Sequence, residues 1–284
     1  MGRFHRHDDG TVHTHGPDDG EGHSHQHSHS HADGHGHADG HSHDEGHTHA
    51  HAEDIGDHSG YATGAERIDV LERIFDENDA AAAANRAALD AAGVTAVNLM
   101  SSPGSGKTTL LAATLDALAG KVRCGVVEGD IETSMDADKL RGRGAQIALL
   151  NTGDGFGGEC HLDAPMVAHA LRDLDLADLD LLLIENVGNL VCPAEFDVGA
   201  HRRAMVFSVT EGEDKPLKYP VMFRSVDAVV LNKIDLLPYV PFDREVFEQN
   251  LRQVNPTAEL IEANALTGDG VQAWLAWLER PLAS

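Results

Sequence analysis

Val97–Leu111 reads VNLMSSPGSGKTTLL: an apolar run, a stretch of small and polar residues, then apolar residues again. The run from Val94 to Met100 predicts a buried strand, and LLAATLDALAG, Leu110 to Gly120, predicts a helix closed by a glycine. A glycine-rich loop between a strand and a helix is a phosphate cradle, because its backbone N–H groups converge where the helix presents its positive end. Gly104, Ser105 and Gly106 form the cradle, Lys107 neutralises the outer phosphates, the Thr108 hydroxyl suits magnesium, and Thr109 completes the turn. The generic pattern begins with glycine, and Ser101 occupies that place here.

Outward from the loop, three further apolar strands end in polar residues of defined use. Asp227–Leu237, DAVVLNKIDLL, runs into Asn232, Lys233 and Asp235, an NKxD arrangement. A carboxylate at Asp235 accepts from both the ring N–H and the exocyclic amine of guanine, and adenine offers no such pair, so the nucleotide is expected to be GTP. Val122–Asp130 delivers Asp130, and Asp180–Asn189 delivers Glu185, to the strand edge where ligands sit in open α/β sheets. Both are assigned to the Mg2+ shell with Thr108. Asp130 is expected to orient the attacking water, and Lys107, Asp130 and Glu185 form the catalytic set.

Composition changes sharply near residue 60. Seventeen of the 20 histidines lie between His5 and His58, and in that N-terminal region Phe4, Val12 and Ile55 are the bulky aliphatic or aromatic residues. Such a segment cannot offset chain entropy by burial, so residues 1–62 are expected to be a disordered tail and 63–284 a folded domain. In the tail, His23, His25, His27, His29, His31, His35, His37, His41, His43, His47, His49 and His51 stand mostly at alternate positions among acidic and small residues. Flexible His-x-His spacing lets several rings close on one borderline ion such as Ni2+ or Zn2+, and the tract reads as a multi-ion buffer. A solvating acidic arm and an expression tag are the bland alternatives. A coil of this length spans on the order of 40 Å, enough to carry an ion to any face of its own domain.

The formal net charge of -26 argues against nucleic acid and anionic membrane as partners. No apolar run reaches membrane-spanning length, the N-terminal MGRFHRHDD has no secretory character, and a cytoplasmic location is expected. The three cysteines, Cys124, Cys160 and Cys192, are too few for a disulfide framework. Cys124 falls in a strand and reads as a small core residue. Cys160 and His161 are adjacent, and with Cys192 they supply donors suited to nickel or zinc. His169 and His201 read as structural or solvent-facing. The alanine-rich stretch after Glu77 is a good helix former with no functional role assigned. Ile68, Leu71, Ile74 and Phe75 form an apolar stripe expected to pack on the domain, as are Trp274, Trp277 and Leu278.

The motifs NLMSSPGSGKTTLL, VVEGDIET, HLDA, IENVGNLVCPAEFD, SVTEGEDKPLKYP and LNKIDLLPY, spread over roughly residues 64 to 280, together resemble the HypB family, the nickel-insertion GTPases of nickel–iron hydrogenase maturation. The resemblance implies a P-loop NTPase fold of the SIMIBI class, with a mostly parallel, doubly wound sheet flanked by helices. It implies slow GTP hydrolysis, a homodimer when GTP is bound, and nickel delivery to the hydrogenase large subunit precursor with the HypA metallochaperone. The family's G-domain metal site falls on Cys160, His161 and Cys192, and a site bridging two protomers would complete its ligand set. Two departures stand out. The CxxCGC motif that begins many members is absent, because no cysteine precedes Cys124, and the loop Asn151–Ala164 is longer than usual. The urease-type nickel GTPases are the nearest rival, but they carry Cys-Pro-His where this chain has Cys192, Pro193 and Ala194. A metal-storage protein with an uncoupled GTPase is the rival of another class.

Overall fold

The computed structural model describes residues 4–6, 12–14, 64–130, 139–151 and 161–282. The chain divides into two units, Met1–Ile55 and Gly56–Ser284. In the first, β1 (Phe4–Arg6) pairs antiparallel with β2 (Val12–Thr14), a short hairpin that the sequence does not predict. The rest of the expectation for residues 1–62, including all twelve tail histidines assigned to metal, lies outside the described residues.

The second unit opens with α1 (Gly64–Ala92), followed by β3 (Thr95–Ser101) and α2 (Lys107–Leu118). Next come β4 (Cys124–Asp130), β5 (Gln146–Asn151), α3 (Ala164–Ala170) and β6 (Leu181–Gly188). The chain continues through α4 (Cys192–Glu195), β7 (Arg202–Ser208), α5 (Lys215–Lys218), α6 (Pro220–Arg224) and β8 (Ala228–Asn232). It ends with α7 (Arg244–Val254), β9 (Glu259–Glu262) and α8 (Val271–Leu278). The seven strands from β3 onward form one sheet in the order β5-β4-β6-β3-β7-β8-β9, every pairing parallel. This is the doubly wound arrangement expected.

Strand alternation explains why helices cover both faces. Val97 and Leu99 of β3 point toward α2 and α8, packing with Leu110, Leu111, Leu115 and Trp274. Ala96 points the other way, toward Leu89 of α1 and Met166 of α3. Met100 joins Phe207, Phe223 and Phe247 under α6 and α7. Trp274 is fully buried, and its indole N–H donates to Thr114 Oγ1 at 2.9 Å, so its polar edge is satisfied inside the core. Cys124 is buried in β4, and burial pushes its thiol up to about 11, consistent with an inert core residue. His201 is structural: its ring accepts from the Ala96 N–H and bonds Asp90 at 2.9 Å.

Of the apolar stripe of α1, the side chains of Ile68 and Leu71 lie outside the described residues, and Ile74 departs from expectation. Ile74 is 45% exposed, and Phe75 is also exposed, lying on Phe196 with ring centroids 5.3 Å apart. The buried face of this helix is drawn instead by Asn78, Ala82, Asn85 and Leu89, a 4-3-4 spacing. No helix among the described residues is long and apolar enough to cross a membrane.

Candidate functional site

β3 is the centre of the sheet, with β6 on one side and β7 on the other, so its C-terminal end opens at the switch of strand order. The loop Ser102–Gly106 turns there into α2. Gly106, directly before Lys107, has φ 97°, and a Cβ on it would collide with the Asn232 side chain, so glycine is required. Ser101 fits the first loop position because it is still strand: it pairs with Gly188 and Val206 and has no positive φ. The glycine of the generic pattern is not needed here.

The loop borders a cavity of about 490 Å3 that brings together Ser101 to Thr109, Glu128, Lys139, Glu185 and Lys233. Lys107 Nζ lies 3.1 Å from Glu185 Oε1, and the Thr108 hydroxyl donates to the same oxygen at 2.7 Å. The Lys107 and Glu185 side chains are only 12% and 3% exposed, so the charge of each is balanced mainly by the other. Lys107, Thr108 and Glu185 are thus in mutual contact.

Asp130 ends β4 in register with Asn151, and its side chain lies outside the described residues. Two residues back on the same strand face, Glu128 is buried in the cavity wall and sits in register with Glu185 on the neighbouring strand. Glu128 and Lys139 were not singled out from the sequence. Period-2 alternation back from Asp130 points to Glu128. Lys139 carried no such signal. The donor set fits Mg2+, because a hydroxyl and carboxylates are hard oxygens. Between Glu128 and Asp130, Gly129 leaves room for Leu162, whose side chain lies directly on the β4 backbone.

The base-reading strand is tied to the phosphate loop. Asn232 Nδ2 donates to Ser105 O at 2.9 Å, and Lys233 Nζ donates to Gly104 O at 2.7 Å. Lys233 adopts φ 60°, the one non-glycine positive φ among the described residues, and this turn aims its side chain back over the loop. Asn232 Oδ1 also accepts from the Ala265 N–H at 2.9 Å, which brings the Asn264–Thr267 segment beside the motif. Sequence reading assigned that segment nothing. Asp235 stands exposed on the following turn, outside the phosphate cavity. On the other flank, Glu211 accepts from the Ser102 hydroxyl and from the Ser208 N–H. Burial pushes its carboxyl above the usual range, and these two bonds oppose the shift.

Of the three candidate ligands for a transition metal, Cys160 lies outside the described residues. His161 is buried, its ring against Phe196 at 4.2 Å between centroids. Cys192 begins α4, half-buried, and accepts from the Asn189 amide at 3.6 Å. Among the described residues, no three His, Cys, Asp or Glu side chains gather as a metal site.

Comparison with known proteins decides the family. Residues 95–262 match the CobW/HypB/UreG nucleotide-binding domain. The hydrogenase maturation factor HypB of Azotobacter vinelandii is 48% identical over 223 residues, covering 78% of this chain and 72% of that protein. The chain belongs to the HypB family. Among solved structures, HypB from Archaeoglobus fulgidus superposes with a TM-score of 0.66 at 41% identity, over 72% of this chain and 97% of that one. HypB from Helicobacter pylori in complex with nickel gives the same TM-score at 36% identity, over 71% and 93%. The chain is thus a HypB-type P-loop GTPase of hydrogenase maturation, and a homologue binds nickel.

Proposed function

We propose that this protein is a GTP-hydrolysing nickel metallochaperone. In this reading the histidine tail stores nickel, and the G domain delivers it to the hydrogenase large subunit precursor. The loop amides and Lys107 hold the phosphates, and Asn232, Lys233 and Asp235 select guanine. Thr108, Asp130 and Glu185 would hold Mg2+, which supplies charge neutralisation at the phosphates, while Asp130 orients water. Turnover in this reading is slow, as the family resemblance implies. Cys160, His161 and Cys192 hold nickel or zinc in transit and complete their ligand set across a GTP-dependent homodimer. A HypA-type metallochaperone is the upstream or downstream partner, and the cycle runs in the cytoplasm.

The observation that carries this reading is the path of one segment. β6 places Glu185 against Lys107 and Thr108, and seven residues later the same chain presents Cys192. A γ-phosphate that competes for Lys107 and Thr108 acts on Glu185 and hence on the segment that carries a metal ligand.

The test is nickel binding read by thiolate-to-metal charge-transfer absorption, in GDP and in a non-hydrolysable GTP analogue. The tail has no cysteine, so the band reports the inner site even with the tail loaded. The expected result is a band lost in Cys192→Ala, with affinities differing between nucleotide states by about 5- to 150-fold, a coupling of about 1–3 kcal/mol. Equal affinities in both states would overturn the switch.

A further inference from the structure

The two chain segments that carry the candidate metal ligands are far apart in sequence, yet α1 fastens them to each other. Asn78 accepts from the Ala164 N–H and donates to Asp197 O, both at 2.9 Å. Two turns on, Asn85 donates to Ala164 O at 2.9 Å and to Val198 O at 3.1 Å. Each amide thus bonds both the segment that follows His161 and the segment that follows Cys192, Asn78 through its two ends and Asn85 through Nδ2 alone. Both asparagines are buried, where a broken bond leaves a polar group without water.

One turn before Asn78, the helix adds an aromatic stack. Phe196 follows directly on α4, the helix that Cys192 begins, and its ring lies between Phe75 of α1 and the His161 imidazole. The ring contact joins the Cys192 segment to the His161 segment at the side chain that would bind metal. Phe75, Asn78, Ala82 and Asn85 share one helix face, so one straight element sets the separation. Gly199, whose Cβ would strike the Ala82 carbonyl, keeps the second segment tight against that face.

We propose that α1 is the brace of the inner metal site, and that Phe196 is a positioning residue which fixes the His161 ring relative to Cys192. The proposal rests on the reading of His161 and Cys192 as nickel ligands. Outer partners that orient a metal-binding histidine set its affinity without touching the ion. The same helix is the covalent continuation of the histidine tail.

The experiment titrates nickel into the full-length protein against a competing chelator and follows the thiolate charge-transfer band. The variants are Phe196→Leu, Phe196→Tyr, Phe75→Ala, His161→Ala and Cys192→Ala, each also assayed for GTP hydrolysis without nickel and for thermal midpoint. Phe196→Leu keeps apolar bulk but loses the flat ring, and it is expected to weaken the band's titration by about 10- to 100-fold with GTP hydrolysis unchanged. Phe196→Tyr restores the affinity. Phe75→Ala, at an exposed position, gives a smaller loss of the same sign and stands in if Phe196→Leu does not fold. Wild-type affinity in both Phe196→Leu and Phe75→Ala, with the band lost in His161→Ala and Cys192→Ala, would refute the brace and leave the ligands intact. A band that survives in His161→Ala and Cys192→Ala would overturn the ligand assignment itself, and the brace with it.

Discussion

Glu185→Gln tests the phosphate site most sharply, because two effects of opposite sign follow from one contact. Lys107 Nζ and Glu185 Oε1 are 3.1 Å apart and nearly excluded from water. At an effective dielectric of about 20 their attraction is about 5 kcal/mol, most of which offsets the cost of desolvating both groups. Glutamine keeps an oxygen for the Thr108 hydroxyl but leaves the Lys107 ammonium without its counter-charge. Without nucleotide the variant is expected to lose about 2–3 kcal/mol of stability. Urea unfolding followed by tryptophan fluorescence reads this directly, since both tryptophans, Trp274 and Trp277, are buried in α8. With nucleotide the sign reverses. Lys107 is free to meet phosphate, so affinity for a GTP analogue without Mg2+ rises, and most of the gain that Mg2+ gives the parent protein disappears. A variant within about 0.5 kcal/mol of the parent, with its Mg2+ dependence intact, would refute the role given to this ion pair.

Gly106→Ala is expected to abolish measurable binding of a fluorescent GTP analogue, because the added Cβ meets Asn232 at a backbone conformation that alanine resists. Trp274→Phe removes the donor to Thr114 Oγ1 and is expected to cost about 1–2 kcal/mol in urea unfolding, with GTP hydrolysis unchanged. Arg123 bonds Asp180 through its guanidinium and backbone N–H, which holds the Asp180 carboxyl down to about 2. A depressed carboxyl stabilises the fold above the ordinary carboxylate value of about 4, and that contribution is lost as the pH falls toward about 2. The stability gap between the parent and Asp180→Asn should therefore narrow as the pH is lowered from about 5, and a gap constant with pH would refute the pairing.

What the sequence discloses depends on how local the cause is. The strand, loop and helix around Lys107, and the ends of the strands bearing Glu185 and Asn232, follow from short-range periodicity and a few loop residues, and the structure has them where expected. Ser101 shows the limit of a pattern: its strand conformation, invisible in a motif, removes the demand for glycine. Glu128 was within reach, since it alternates with Asp130. The brace was not. Asn78 and Asn85 read as interruptions in an alanine helix, and their partners lie 79 to 119 residues away. Phe75 reads as packing on the domain, but that it does so by stacking on Phe196 is not in the local pattern. Such roles arise only when tertiary contacts bring distant segments together, which no local window contains.

Gly129 offers a last consequence. Leu162, next to His161, rests on bare backbone at the one point of β4 between the carboxylates at 128 and 130. There is no side chain at 129 to act as a spacer, and an added Cβ would meet the Leu162 side chain. A side chain there would lift the His161 segment and strain the carboxylate-bearing strand in the same stroke, so one lesion would present as two defects, in metal and in nucleotide. Mutational scans of such a protein would score position 129 as vital to both activities, although it has no side chain to act in either.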